Sequence, residues 1–256
     1  PPLDLGPKPR STRGPGRGSG MWDTKTMSQT GMRVLAIDTA LANCAAAVLD
    51  DGVETACFEA CGEEIGRGHA EKLMDMIGEV MAESSTTFSE LDRVAVTIGP
   101  GSFTGLRVGL AVARGFGLVL GKPVVGVTTL AAIARSAVPG DDGGPVLVAL
   151  TGKADEVYCQ LYHASGTAAD EAGVRTIADL AANLPKDIRL AGSASEKIAR
   201  ELGLPESAIL SRSTFPGIRD VAELGISADP SRSSPSPLYL RPPDATPQTK
   251  GRIERQ

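Results

Sequence analysis

Aromatic residues are scarce in this chain: five Phe, three Tyr and one Trp make 4% of 256 residues. Base-stacking platforms are built from such rings, so direct contact with nucleic acid is not expected. Positive charge is short as well. Of the overall −5, residues 1–31 hold +3 (Lys8, Arg10, Arg13, Arg17 and Lys25 against Asp4 and Asp23), which leaves −8 on residues 32–256. An acidic body repels a phosphate backbone. The four cysteines, Cys44, Cys57, Cys61 and Cys159, form no Cys-x-x-Cys pair, and no apolar signal region opens the chain. That pattern argues against a disulfide framework and for reduced thiols in a cytoplasmic protein. Histidine is rarer still. His69 and His163 stand far apart, and zinc takes three or four ligands at close spacing, so no bound metal is expected.

What the chain does have is 41% hydrophobic content, mostly small aliphatics, enough to fill the cores of two modest domains. The stretch from Val94 to Leu120 organises the first of them. It reads as a buried strand (Val94–Ile98), a glycine-rich turn (Gly99–Thr104) and a long apolar helix (Gly105–Leu120), with Thr104 as the expected cap. Gly105, Gly109, Ala113 and Gly117 recur every fourth residue and form one row on that helix. Each interior glycine costs roughly 0.8–1 kcal/mol relative to alanine, so the row implies a close approach by another backbone. The remaining helix positions are apolar nearly all round, which requires cover on more than one side. Arg107 and Arg114 interrupt it, and it falls short of the roughly 20 residues that a bilayer needs, so it is not read as a membrane span.

In chain order, residues 1–31 are rich in Pro, Gly and Arg and have almost nothing to bury. A disordered N-terminal extension is expected there, with Met21, Met27 and Met32 each a candidate start and a basic targeting arm as the alternative. Residues 32–138 form the first domain. Strands over Arg33–Ile37, Cys44–Leu49 and Val53–Ala60 make a meander, and an amphipathic helix runs from His69 to Ser84. After the organising stretch come a strand, Val124–Val127, and a helix, Thr129–Ala137. The order β-β-β-α-β-α-β-α suits a mixed sheet flanked by helices. Pro139–Pro145 is the domain boundary. A smaller second domain, 139–241, holds a hairpin (Val146–Leu150, Glu156–Tyr162), a capping box at Thr176–Asp179, a strand at Ile188–Ala191 and a helix capped near Ser193 or Ser195. A Ser/Pro-rich loop spans Asp229–Pro237, and residues 242–256 form a loose tail.

Two candidate sites follow from these residues. Leu73, Met76, Ile77, Val80, Val108, Gly109, Val112 and Phe116, on the first two helices, supply more apolar area than one small sheet covers and are assigned to a partner surface. Asp38, Thr39, Gly101, Ser102 and Gly105 are the candidate for a weak nucleotide or anion site, since a helix N-terminus offers free N–H groups. Against it, no Gly-Lys-Ser/Thr follows, as a Walker loop would require. Ala40-Leu41-Ala42-Asn43, rather than glycines, follows the acid. The opposing reading is a tight turn that seats the helix on its sheet, with Asp38 capping the turn. Ser102 lies in no Gly-x-Ser-x-Gly elbow, which argues against a peptidase.

The segments V-L-A-I-D-T-A, H-A-E, I-G-P-G-S-F-T-G-L-R-V-G, D-E-V-Y and P-L-Y-L-R, spread over residues 32–241, together resemble the bacterial TsaB (YeaZ) family. The resemblance implies an α/β fold of the actin-like ATPase (ASKHA) class, with two RNase H-like domains of mixed sheets flanked by helices. It implies a non-catalytic dimerisation subunit of the tRNA threonylcarbamoyladenosine machinery. Such a subunit pairs with a TsaD-like catalytic sibling and a TsaE-like ATPase, forms a homodimer when alone, meets tRNA only through the complex, and touches no membrane. The sibling's His-x-x-x-His metal pair is absent here, because Leu73 stands four places after His69. Family members often read Asp-Ala-Arg where this chain has Thr151-Gly152-Lys153, so no role is carried over to that turn. No cofactor is expected, with weak ATP or ADP binding left open. The alternatives are a weak ATP-binding phosphotransferase or ATPase, and a glycoprotease-like peptidase.

Overall fold

β-branched and alanine-rich segments alternate with helical ones, and the chain sorts them into two five-stranded mixed sheets. The computed structural model describes residues 31–52, 57–64, 69–138 and 143–241. The expectations for the N-terminal extension, the tail 242–256, the start of the third strand and the boundary residues 139–142 therefore lie outside the described residues. The first sheet is built from β1 (Arg33–Asp38), β2 (Asn43–Asp50), β3 (Cys57–Glu64), β4 (Arg93–Gly99) and β5 (Val124–Thr128). α1 (His69–Glu83) precedes β4, α2 (Phe103–Leu120) follows it, and α3 (Thr129–Ala137) follows β5. Strand order is β3-β2-β1-β4-β5. β1, β2 and β3 are antiparallel neighbours, while β4 and β5 join parallel.

The second sheet repeats this wiring. β6 (Val146–Thr151), β7 (Glu156–Tyr162) and β8 (Gly173–Thr176) form the antiparallel meander, and β9 (Arg189–Ala191) and β10 (Ile209–Ser211) join parallel beyond β6. α4 (Ile177–Asn183), α5 (Ser195–Leu202) and α6 (Ile218–Ser227) occupy the places of α1, α2 and α3. This doubled RNase H-like arrangement is the actin-like ATPase architecture.

Alternation decides which face each side chain joins. Leu35, Ile37, Cys44, Ala46, Val48, Val94 and Val96 face α1 and α2. Val34, Ala36 and Ala95 point the other way, toward Val221 and Ala222 of α6. Likewise α3 lays Leu130, Ile133 and Ala134 on Val146, Val148 and Leu150 of the second sheet. The last helix of each half thus covers the sheet of the other, which interleaves the chain. Arg93 fastens α6 from the first sheet: it is 7% exposed, and its guanidinium donates to the carbonyls of Gly225 (2.7 Å), Ile226 (3.1 Å) and Ala228 (2.7 Å). Those are C-terminal helix carbonyls, which lack helical partners and carry the negative end of the dipole.

Local signals hold in several places. The box at Thr176 forms, with its hydroxyl accepting from the Asp179 amide at 3.1 Å. Two caps differ from expectation. α2 begins two residues early, capped by Ser102, whose extended backbone lets Oγ accept from Gly105 N at 3.3 Å, so Thr104 lies inside the first turn. α5 has Ala194 at its cap position, because the Ser193 hydroxyl serves the Thr151 amide and that of Ser195 donates to the Ser211 carbonyl.

Candidate functional site

The β1–β2 turn and the start of α2 bring Asp38, Thr39, Gly101, Ser102 and Gly105 together, and the structure uses them on one another. Thr39 is fully buried and donates its hydroxyl to the Gly105 carbonyl at 2.8 Å. The Ser102 amide donates to the Ala40 carbonyl at 2.6 Å. A Cβ on Gly101 would stand 2.1 Å from the Ala40 oxygen, one on Gly105 2.0 Å from the Thr39 oxygen, and one on Gly109 2.4 Å from the Thr39 hydroxyl. The glycine row is therefore the seat of the first strand's end. The carbonyls of Thr39 and Ala40 pack on Gly105 and Gly101, and the Ser102 and Gly105 amides are bonded within the chain itself. Gly109 faces the sheet, so its assignment to a partner surface is corrected.

Asp38 closes the same junction from beneath. Its Oδ1 accepts from the Ala40 amide (3.0 Å) and the Thr97 hydroxyl (2.7 Å), whereas Oδ2 is buried with no hydrogen-bond partner. Burial pushes the carboxyl up to about 6, against the pull of those two donors. A group raised in the folded state stabilises fully below its unfolded value, near 4, and that contribution is lost as pH rises through about 6. The ionised carboxylate therefore costs about 3 kcal/mol at neutral pH. Asp38→Asn removes this slope. Urea unfolding at pH 4 and pH 8 should show the variant gaining about 2 kcal/mol on the wild type between the two values; parallel pH profiles would contradict the assignment.

The partner surface assigned from sequence divides sharply. Leu73, Met76, Ile77 and Val80 lie in the core beneath β2, each at most 5% exposed. That assignment is corrected: the sheet consumes the apolar stripe of α1, and the outward residues of that helix include Asp75, Glu79 and Glu83. Val108, Val112 and Phe116 are half-buried on α2, with the Phe116 ring stacked on Phe88 at 5.1 Å. Beyond them is a face that the sequence reading did not name. Leu118 and Val119 are 85% and 82% exposed, and Ala111 and Gly115 are open to solvent. At roughly 100° per residue, Leu118, Ala111, Gly115, Val108, Val119 and Val112 share one apolar arc. α1 packs alongside α2 and exposes Met74 together with the charges Lys72, Asp75, Glu79 and Glu83.

A second border comes from the C-terminal segment. After α6 the chain runs back over the first sheet, where the Gly126 amide donates to the Ser233 carbonyl (2.9 Å) and the Leu238 amide to the Ile98 carbonyl (2.7 Å). Arg114 donates to the Pro235 carbonyl at 2.6 Å and 3.0 Å. Arg107 lies 3.7 Å above the Phe103 ring and donates to the Tyr239 hydroxyl at 3.3 Å, and Phe103 and Tyr239 contact each other at 5.5 Å. Both arginines of α2 thus lean away from the apolar arc. The sequence marks this segment as a Ser/Pro-rich loop followed by the apolar Leu238-Tyr239-Leu240, and the structure adds its return to the first sheet.

By length and composition α2 is apolar enough to cross a membrane, yet its Gly105, Leu106, Gly109, Leu110 and Ala113 are buried within the protein. Among the described residues no three His, Cys, Asp or Glu side chains gather at metal-binding distance. His69 opens α1, and its side chain lies outside the described residues.

Comparison with known proteins agrees with this architecture. The family model of TsaD, tRNA N6-adenosine threonylcarbamoyltransferase, matches residues 62–228. The tRNA threonylcarbamoyladenosine biosynthesis protein TsaB of Escherichia coli is 37% identical over 51% of this chain, a match that spans 55% of that relative's length. The protein of the same name from Buchnera aphidicola is 32% identical over 67% of this chain and 83% of its own length. Among solved structures, YeaZ from Pseudomonas aeruginosa superposes with a TM-score of 0.67 at 26% identity, covering 82% of this chain and all of that one. With the identity, the coverage and the doubled sheet in agreement, the chain belongs to the TsaB (YeaZ) family.

Proposed function

We propose that this chain is a non-catalytic docking subunit in the biosynthesis of tRNA threonylcarbamoyladenosine, and that it pairs through the exposed arc of α2 with a TsaD-like catalytic sibling. The observation that carries the reading is the junction of a filled glycine loop with an unfilled helix face. Transfer of a threonylcarbamoyl group to adenine needs a pocket for an activated, nucleotide-linked donor. Here the glycines of the corresponding loop are packed against Thr39 and Ala40, and the Ser102 and Gly105 amides are bonded within the chain. By contrast, Leu118 and Val119 stand in water, and an apolar face of this kind marks an interaction site.

The partner's chemistry follows from the borders of the arc. An apolar helix flanked by cations fits it, because the outward charges of α1 are Asp75, Glu79 and Glu83 against Lys72, which is already paired with Glu63. A sibling of the same fold presents an equivalent helix, and the match of this chain to the TsaD family model supports such a pairing. When alone, the chain covers the arc with a second copy. A TsaE-like ATPase completes the assembly, tRNA meets it only through the sibling, and the site of action is the cytoplasm. No cofactor is assigned to this subunit, and calorimetric titration with ATP should give no saturable heat.

Light scattering of the purified chain mixed with its TsaD-like sibling tests the pairing. A species with the summed mass of one copy of each is expected. Two unmixed peaks at micromolar concentration would refute it.

A further inference from the structure

The C-terminal segment, residues 229–241, does more than end the fold. It lies against the two charges that α2 carries within its exposed half. The Arg114 guanidinium is held on the Pro235 carbonyl through two donors, and Arg107 is sandwiched between the Phe103 ring and the Tyr239 hydroxyl. The seat of the segment is cut into the first sheet by two glycines. A Cβ on Gly126 would come within 2.6 Å of the Ser234 carbonyl, and one on Gly99 within 3.0 Å of that of Leu238. Beyond the seat, Arg241 pairs with Glu156 of β7 in the second sheet. The segment therefore joins both sheets while it turns α2's cations to one side. Its main-chain bonds to the sheet are those of Ser233 and Leu238.

We propose that residues 229–241 act as a strap that makes the α2 face competent to dock, by holding Arg107 and Arg114 off its apolar arc; this inference rests on the docking reading above. Seated, the strap leaves Leu118, Ala111, Gly115, Val108, Val119 and Val112 as an uncharged surface. Unseated, two long cationic side chains sweep across that surface, and docking must desolvate them or push them aside. The strap thus couples contact between the two sheets to partner binding, through a segment whose opening costs few hydrogen bonds.

The test uses the full chain and its purified TsaD-like sibling, with dissociation constants from calorimetry. Leu238→Pro deletes the amide bonded to Ile98, and Tyr239→Ala removes the acceptor of Arg107; both positions are outside the core. This double variant should bind the sibling about tenfold or more weakly. Adding Arg107→Ala and Arg114→Ala to it should restore binding to within about threefold of wild type, which simple misfolding would not allow. Wild-type affinity in the strap variant, or failure of the arginine replacements to rescue it, overturns the strap. Ala111→Arg serves as the reference for docking itself. If that variant also binds normally, the docking face is wrong, and the strap proposal falls with it.

Discussion

Gly105→Val should unfold the protein or cost it about 3 kcal/mol or more of stability. The obstacle at this position is main chain: a Cβ would sit 2.0 Å from the Thr39 carbonyl oxygen, so no rotamer change relieves it. α2 would have to lift away from the end of β1. That movement breaks the Thr39–Gly105 and Ser102–Ala40 hydrogen bonds and opens the packing of Leu106, Leu110 and Ala113. Gly115→Val provides the control. It lies in the same helix, nothing approaches its Cβ within 4 Å, and valine is the better helix former, so no loss is expected. Urea midpoints followed by circular dichroism compare the two. Equal midpoints for Gly105→Val and the wild type would show that the glycine row does not seat the strand.

Ala111→Arg should leave the monomer intact and weaken pairing with the sibling about 100- to 1000-fold. The position is exposed and lies within the apolar arc, and arginine is a good helix former, so the fold should change by no more than about 0.5 kcal/mol. On docking, the guanidinium is buried without an acceptor, a situation that costs roughly 3–5 kcal/mol when a buried pair lacks one member. Ala111→Leu adds apolar area without charge and should bind well. A normal thermal unfolding curve with unchanged affinity for Ala111→Arg would remove this face from the interface.

Much of the first sheet was legible because its strands are short β-branched and alanine-rich runs and its helices keep their 3.6-residue period. The run V-A-V-T-I-G-P-G led directly to β4, and the small-residue row of α2 correctly implied a close backbone. Sequence could not say which backbone. Gly109 looked equally suited to a partner helix and to Thr39, and only the register of β1 against β4 decides between them. The same ambiguity affected α1: Leu73, Ile77 and Val80 form an apolar stripe in either case, and whether a sheet consumes it depends on β2, far away in sequence. α6 does carry a signal in Ile218, Val221, Ala222 and Gly225, at helical spacing, with Val221 and Ala222 on the first sheet. It is short and sits among Ser and Pro. The strap is harder still, since the Leu-Tyr-Leu triplet marks an apolar contact without saying that main-chain bonds from Ser233 and Leu238 return it to the first sheet.

On the proposed function, this chain is required for the modification without performing it. The direct measurement is reconstitution of threonylcarbamoyladenosine on tRNA from threonine, bicarbonate and ATP, with the adenylate-forming enzyme, the TsaD-like sibling and the TsaE-like ATPase, leaving out one protein at a time. Modified nucleoside should appear only when this chain and the sibling are both present. Ala111→Arg should fail as the omission does, whereas Asp38→Asn should support product. Equal product without this chain would contradict a docking role, and product from this chain without the sibling would make it the enzyme.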